Sequence, residues 1–139
     1  MATTHFEQLG GQAAVDAIVD SFYRYMDTLP EARGIRALHH PDLREVKVVL
    51  KKYLGEWLGG PKTYSQERGH PRLRMRHMPF AIGIAERDAW MLCMRRAFGD
   101  VLGSHPLSEP ILARLYETAD WMRNDAQSAG GPRHDPIRK

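Results

Sequence analysis

The sequence TYSQERGHPRLRMRHMPFAIGIAERDAWMLCM, residues 63–94, is the most informative about the fold. Within it, a segment without regular period gives way to a clear helical period. Its first part, up to Gly83, is interrupted by glycine and proline and has no sustained helical period. Its second part begins a strong helix, predicted over residues 84–102. Between the two parts, residues 71–77 can form about two helical turns, because proline is tolerated in the first turn of a helix. Leu73 and His77 would then share one face of that short helix.

The other periodic segments on either side of this stretch also have a helical spacing. Thr4 and Glu7 have the spacing of a capping box and predict a short helix that ends at a glycine pair. Asp42 and Glu45 predict the same device at the start of a later helix, and Ser108 is the predicted cap of the last one. These further helices are predicted over residues 12–28, 31–38, 42–58 and 108–122.

Apolar side chains recur along one face of each long helix, and we expect these faces to form the core. The predicted core residues are Val15, Ile18, Val19, Phe22, Tyr23 and Met26; Leu43, Val46, Leu50, Tyr53, Leu54, Trp57 and Leu58; Trp90, Cys93, Met94, Ala97, Phe98 and Val101; Ile111, Leu112, Leu115, Tyr116 and Ala119. Because no useful run of strand-like alternation occurs, the predicted fold class is all-α.

Length and composition predict one domain over residues 1–123, followed by a disordered tail, 124–139, rich in Gly, Pro, Arg and Asp. The single cysteine, Cys93, excludes an intrachain disulfide and fits a reducing compartment. The chain start lacks a signal-peptide pattern and no apolar stretch could span a membrane, so we expect a cytoplasmic protein without a membrane partner.

Among the seven histidines, His77 is distinguished by its expected position on the inner face of a short helix. From the residues alone, a hydrogen-bonded structural histidine is the expected interpretation, and a metal ligand is the alternative. Tyr23 and Trp90 lie on apolar helix faces, where each buried polar hydrogen needs a partner, most simply a local carbonyl.

A basic segment surrounds His77, with no acidic residue between Arg68 and His77. Its other arginines are Arg72, Arg74 and Arg76. The segment could face an anion, and one hypothesis is a small helical nucleic-acid-binding module. Against it, the 20 basic and 17 acidic residues of the chain are largely intermixed and give a net charge of only +3.

Taken together, four motifs resemble the group II (O-type) truncated haemoglobins of the globin superfamily. The motifs are FEQLGG (6–11), DAIVDSFYRYM (16–26), EWLGGP (56–61) and the long block at 63–94. The resemblance implies a two-on-two helical sandwich around a non-covalently held b-type haem (iron protoporphyrin IX). In it, His77 occupies the position of the iron ligand, and imidazole suits ferrous iron with one coordination site left open.

The resemblance also implies roles for other side chains around the haem. Tyr23 and Trp90 match the family's hydrogen-bonding pair on the gas-binding side, with His39 near a third polar position. Val46 stands where many ordinary globins have a histidine, and Leu50 and Leu54 would continue an apolar wall. The residues expected at the haem propionates and pocket are Tyr64, His70, Arg72, Arg76 and Phe80, with Arg76 favoured.

The function implied is binding of O2, and of CO and NO, either for transport or storage or for detoxification of NO or peroxide. Turnover would need an external electron donor, and the sequence leaves enzymatic activity and the choice between monomer and homodimer open. A haem-based sensor is the alternative within the same resemblance, and a partner-dependent change on ligation would distinguish it.

Overall fold

The computed structural model describes residues 3–124. The α-helices of this part are α1 (His5–Leu9), α2 (Gly11–Thr28), α3 (Arg33–Ala37), α4 (Arg44–Trp57), α5 (Thr63–Arg68), α6 (Leu73–His77), α7 (Ile84–Leu102) and α8 (Ser108–Trp121). One turn of 3-10 helix, Pro30–Ala32, precedes α3. The predicted tail, apart from Asn124, lies outside the described residues. None of the helices within 3–124 is both long and apolar enough to cross a membrane.

The core lies where α2 packs against α7 and α4, with α8 covering the other side of α7. Phe22 and Phe98 are the largest fully buried side chains, and the predicted core faces of α2 and α7 are largely confirmed. Burial raises the pKa of the Cys93 thiol in this core to about 11. The thiol therefore stays protonated at neutral pH and acts as a small apolar side chain.

Two predicted core faces need correction. In α4, Val46, Leu50, Tyr53 and Trp57 are only partly buried. In α8, Tyr116 is 41% exposed because its ring faces outward, where the Arg87 guanidinium lies 4.9 Å from the ring centroid. An aromatic ring that meets a cation at the surface satisfies the same apolar periodicity without entering the core.

The capping prediction is confirmed for α1 and wrong for α4 and α8. Thr4 and Glu7 form the complete capping box. Asp42 instead accepts a hydrogen bond from the Arg44 backbone N–H at 3.0 Å, two residues on, and the residue that caps α4 is Leu43. Ser108 is the first residue of α8 rather than its cap. Short polar side chains bond to several nearby backbone groups, so spacing alone does not fix which one they choose.

The FEQLGG and EWLGGP motifs meet in space, which explains why the second motif requires glycine at position 60. The Phe6 N–H donates to the Leu58 carbonyl at 2.9 Å, joining α1 to the end of α4. A Cβ on Gly60 would lie 2.7 Å from the Phe6 ring and 2.8 Å from the Gly55 carbonyl. Side chains do not tolerate such contacts, so a glycine is needed where these two helix ends touch.

The segment predicted as irregular, 62–83, contains one helix that the sequence pattern did not reveal. Thr63–Arg68 forms α5, where the Glu56 carboxylate accepts hydrogen bonds from the Ser65 backbone N–H and hydroxyl. The predicted helix 71–77 is present but shorter, beginning at Leu73. Arg72 precedes it in the left-handed region, with φ 48°, so the backbone turns sharply before α6 begins.

Candidate functional site

His77 is the last residue of α6, and its ring is held by its own helix. The imidazole Nδ1–H donates to the Leu73 carbonyl at 2.6 Å, so the predicted shared face of these two residues is confirmed. This bond fixes the tautomer, because a neutral imidazole carries one hydrogen. The other nitrogen, Nε2, therefore presents a lone pair, and no group within residues 3–124 donates to it. A histidine in this state is prepared to bind a metal.

Tyr23 is a buried side chain whose hydroxyl has no hydrogen-bond partner among the described residues. The side chain is 3% exposed, and the local carbonyl partner expected from the sequence is not present within residues 3–124. Burial raises the pKa of this phenol well above its usual value, so the hydroxyl keeps its proton. A hydroxyl that has no protein partner can donate its hydrogen bond to another molecule that accepts one.

Trp90 joins Tyr23 through Phe22, which lies between α2 and α7. The Phe22 ring packs edge-on against both, with centroid distances of 4.9 Å to Tyr23 and 5.2 Å to Trp90. Trp90 is partly buried, and its indole N–H makes no hydrogen bond within the described chain. The two long helices thus bring an O–H and an N–H donor to the same cluster.

His39, after α3, completes this group of polar side chains. Its ring meets Tyr23 edge-on at 5.9 Å between centroids, and its Nδ1 contacts the Ile35 carbonyl at 2.8 Å. Burial lowers the pKa of His39, the Ile35 bond opposes this shift, and electrostatic interaction with Arg36 and with the His77 ring lowers it further. The influence of His77 means that the two imidazoles, one after α3 and one at the end of α6, lie within electrostatic range of each other.

α4 contributes an apolar surface to the same core cluster that contains Tyr23. Leu54 is 1% exposed, whereas Val46 and Leu50 are partly buried and pack at the edge of the core. Val46 has no polar atom in its side chain and cannot donate a hydrogen bond. Any donor to a ligand near this surface must therefore come from elsewhere.

The residues predicted to face the haem propionates do not share one environment. Arg72 and Arg76 are exposed, Phe80 is 40% exposed, and Tyr64 is buried edge-on against Tyr53. Arg76 forms no ion pair with the carboxylates of residues 3–124.

Two basic side chains of this segment already interact with other protein groups. The exposed His70 ring accepts the Arg72 backbone N–H at 3.0 Å, which stabilises the turn before α6. Arg68 lies 3.9 Å from Glu45.

Arg74 corrects the expectation of a single basic cluster because it turns inward. It is 6% exposed and donates to the main-chain carbonyls of Trp121 and Arg123 at the end of α8. Helical spacing explains the division, since Arg74 lies on a different face of α6 from Arg72 and Arg76. Less positive charge therefore faces solvent here than the sequence suggested, which weakens the nucleic-acid interpretation.

Asn124 lies in the predicted tail, and the sequence pattern assigned it no role. It is 2% exposed, and its side-chain amide bonds to both ends of the loop that follows His77. A lone asparagine after a helix carries no periodic signal, so no sequence pattern could have identified it.

Comparison with known proteins gives consistent matches. A family model described as bacterial-like globin matches residues 4–124. The Group 2 truncated hemoglobin YjbI of Bacillus subtilis (strain 168) is 35% identical over 118 residues, which cover 85% of this chain and 87% of that protein. The solved group II 2-on-2 hemoglobin from Agrobacterium tumefaciens is 44% identical, with a TM-score of 0.86, covering 89% of this chain and 96% of that one.

A further solved structure, a truncated oxygen-avid haemoglobin from Bacillus subtilis, is 34% identical, with a TM-score of 0.80. It covers 88% of this chain, and this chain covers 100% of it. The range matched by the family model includes every helix that the structure describes.

Proposed function

Because this chain belongs to the bacterial-like globin family, we propose that it holds a b-type haem through His77 and binds O2 reversibly at that haem. The family membership and the structural neighbours also establish the predicted fold, an all-α two-on-two truncated globin. A haem cofactor and the binding of diatomic gases are what the family implies. The type of haem and the residue roles are our proposal.

The single observation that carries the proposal is the state of the His77 ring. Its Nδ1–H is already donated to the Leu73 carbonyl at 2.6 Å, which leaves Nε2 as the only nitrogen able to bind iron. A hydrogen bond of this kind fixes ring orientation and raises the basicity of the ligating nitrogen. Among the described histidines, His39 has a similar bond, but it lies beside Tyr23 rather than in the short helix that follows the basic turn.

The opposite side is suited to a gas that accepts hydrogen bonds. When bound, a ferrous haem supplies an open coordination site for a diatomic molecule. The Tyr23 hydroxyl and the Trp90 indole N–H can both donate there, and neither has a partner within residues 3–124. Since CO is the poorer hydrogen-bond acceptor, these donors favour O2 over CO. The description of the Bacillus subtilis relative as oxygen-avid supports the same direction.

The apolar and basic residues fit the rest of a haem. Val46 and Leu50 offer partly buried aliphatic surface for the porphyrin ring, and Phe80 adds an exposed aromatic side chain. We propose that Arg76 binds a propionate, because its charge has no carboxylate partner among the described residues.

Arg72, His70 and Tyr64 are weaker candidates for the same role. His70 is engaged with the Arg72 backbone and Tyr64 is buried against Tyr53. We confine the functional proposal to reversible binding of O2, CO and NO. A dioxygenase or peroxidase role would require a separate electron donor.

The proposal is tested by absorption spectra of the purified chain titrated with haem, in oxidised, reduced and CO-treated forms. We expect saturation at one haem per chain, a strong Soret band, and a shift of that band with CO. A wild-type chain that shows no Soret band after reconstitution would refute the proposal.

A further inference from the structure

The helix that carries His77 is too short to hold itself in place. It has five residues, Leu73–His77, and no side chain caps its first turn. Isolated helices of this length are unstable in water, so tertiary contacts must supply the stability. None of the extensive helix–helix contacts within residues 3–124 involves α6. Its position must therefore depend on individual side-chain bonds.

Asn124 supplies such bonds at two points of the backbone. Its side-chain Nδ2 donates to the His77 carbonyl at 3.1 Å, and its Oδ1 accepts the Ile82 N–H at 3.0 Å. Its own backbone N–H donates to the Ile82 carbonyl at 2.8 Å. We call these three bonds the Asn124 clasp. The clasp joins both ends of the loop between α6 and α7 to one buried residue.

Arg74 fixes the same helix one turn earlier. Its guanidinium donates to the Trp121 carbonyl and, at 3.0 Å, to the Arg123 carbonyl. It also lies 5.8 Å from the centre of the Trp121 ring. Residues 121–124 thus contact α6 through both Arg74 and the His77 carbonyl. The two attachments restrict translation of α6 along its axis and rotation about it.

We propose that Asn124 is a positioning residue for the iron ligand: the clasp sets the backbone position of His77 and so the approach of Nε2 to the metal. This inference rests on the proposed function for its ligand, but the clasp itself is a property of the protein. Ring orientation is fixed by the Leu73 carbonyl, and the carbonyl end of the same residue is fixed by Asn124. Loss of either bond frees one of the two constraints on the imidazole.

Asn124→Asp removes only the side-chain N–H donor that bonds to the His77 carbonyl. The carboxylate keeps the size of the side chain and can still accept the Ile82 N–H, but it cannot donate to the His77 carbonyl. Thr4→Ala is the matched control, because it removes the capping box of α1, a helix that shares no extensive contact with α6. Arg74→Met is a second variant, which keeps the length of the side chain and removes the bonds to residues 121 and 123.

Two readouts are made on the full chain. Hydrogen exchange of residues 73–82 is measured with and without haem, and the iron–imidazole stretching band of the ferrous protein is measured by resonance Raman. We expect Asn124→Asp to speed exchange in this segment by about five- to tenfold, the factor for one lost hydrogen bond. The band should shift or broaden in Asn124→Asp and Arg74→Met and stay unchanged in Thr4→Ala.

Unchanged exchange in residues 73–82 and an unchanged band in Asn124→Asp would overturn the inference, as would an equal change in Thr4→Ala. If Asn124→Asp does not fold, Asn124→Leu, which also lacks the amide donor to the His77 carbonyl, decides by the same criteria. If the wild-type chain binds no haem, the proposed function fails and the positioning role fails with it. The exchange measurement without haem then still shows whether the clasp holds α6, so the two failures are distinguishable.

Discussion

The two sides of the proposed haem site are built by different means. On the gas side, Tyr23 and Trp90 stand on the long helices α2 and α7, which bury Phe22 between them. On the ligand side, His77 stands on a five-residue helix held by hydrogen bonds from Leu73 and Asn124. The gas side therefore depends on core packing that covers many residues. The ligand side depends on a few polar contacts, so single hydrogen bonds matter more there.

The largest expected effect is on the packing of the gas side. Phe22 is fully buried between α2 and α7, and Phe22→Ala should lower the free energy of unfolding by about 3–5 kcal/mol. The matched control is Val48→Ala, since Val48 is 50% exposed and its loss should change stability by no more than about 0.5 kcal/mol. Urea denaturation of both variants measures the difference. Similar midpoints for the two would contradict the packing account of this side.

A smaller effect is expected from one hydroxyl on the same side. Tyr23→Phe keeps the buried ring and removes the donor, and it should speed O2 dissociation by about five- to tenfold. Trp90→Phe should act in the same direction and less strongly, because Trp90 is only partly buried. Stopped-flow replacement of O2 by CO measures both rates.

Tyr25→Phe is the matched control for this measurement. Tyr25 lies on the same helix, but its hydroxyl bonds to Asp100 at 2.5 Å. We expect no change in O2 release. An unchanged rate in Tyr23→Phe, or an equal increase in Tyr25→Phe, would refute the gas-side role of Tyr23.

The smallest effect concerns an exposed polar link between α2 and α7. Hydrogen bonds from Tyr25, Ser21 and Arg24, of which the Tyr25 bond is the largest cause, hold the pKa of Asp100 below its usual 3.8. The native carboxylate therefore binds fewer protons than the unfolded one, and its contribution to stability is lost as pH falls below that value.

Asp100→Asn should consequently flatten the pH dependence of stability below pH 3.8, with little effect on gas binding. Thermal unfolding followed over this range measures the change. Because the group is exposed, we expect the effect to be smaller than that of Tyr23→Phe and to weaken in high salt. A pH dependence identical to that of the wild type would show that this network contributes nothing.

The contrast between long helices on the gas side and a short helix on the ligand side also explains what the sequence could predict. The bounds of α7 are as predicted, and α2 begins one residue earlier than predicted, because long amphipathic helices bury one face and leave a clear period. Because Tyr23 and Trp90 lie on these helices, the same period predicts their positions. The family resemblance, rather than periodicity, led to His77 as the proposed iron ligand, since five helical residues carry too little pattern to assign a role.

The contacts of the ligand side could not be predicted in the same way. Asn124 meets His77 across 47 positions of the sequence, and Arg74 turns inward while its arginine neighbours face solvent. Both depend on how the end of α8 lies against a loop, which is a tertiary relation without a local signal. The contact of Gly60 with Phe6 likewise depends on how α1 packs against the end of α4, which no local pattern shows.

The most direct test of the central claim is the ferrous absorption spectrum of His77→Gly with and without added imidazole. We predict that the variant loses the histidine-ligated spectrum of the wild type and that imidazole, which can replace the missing side chain, restores it. His39→Ala, the matched control, should keep the wild-type spectrum. A histidine-ligated spectrum in His77→Gly without imidazole would contradict the assignment of His77 as the iron ligand.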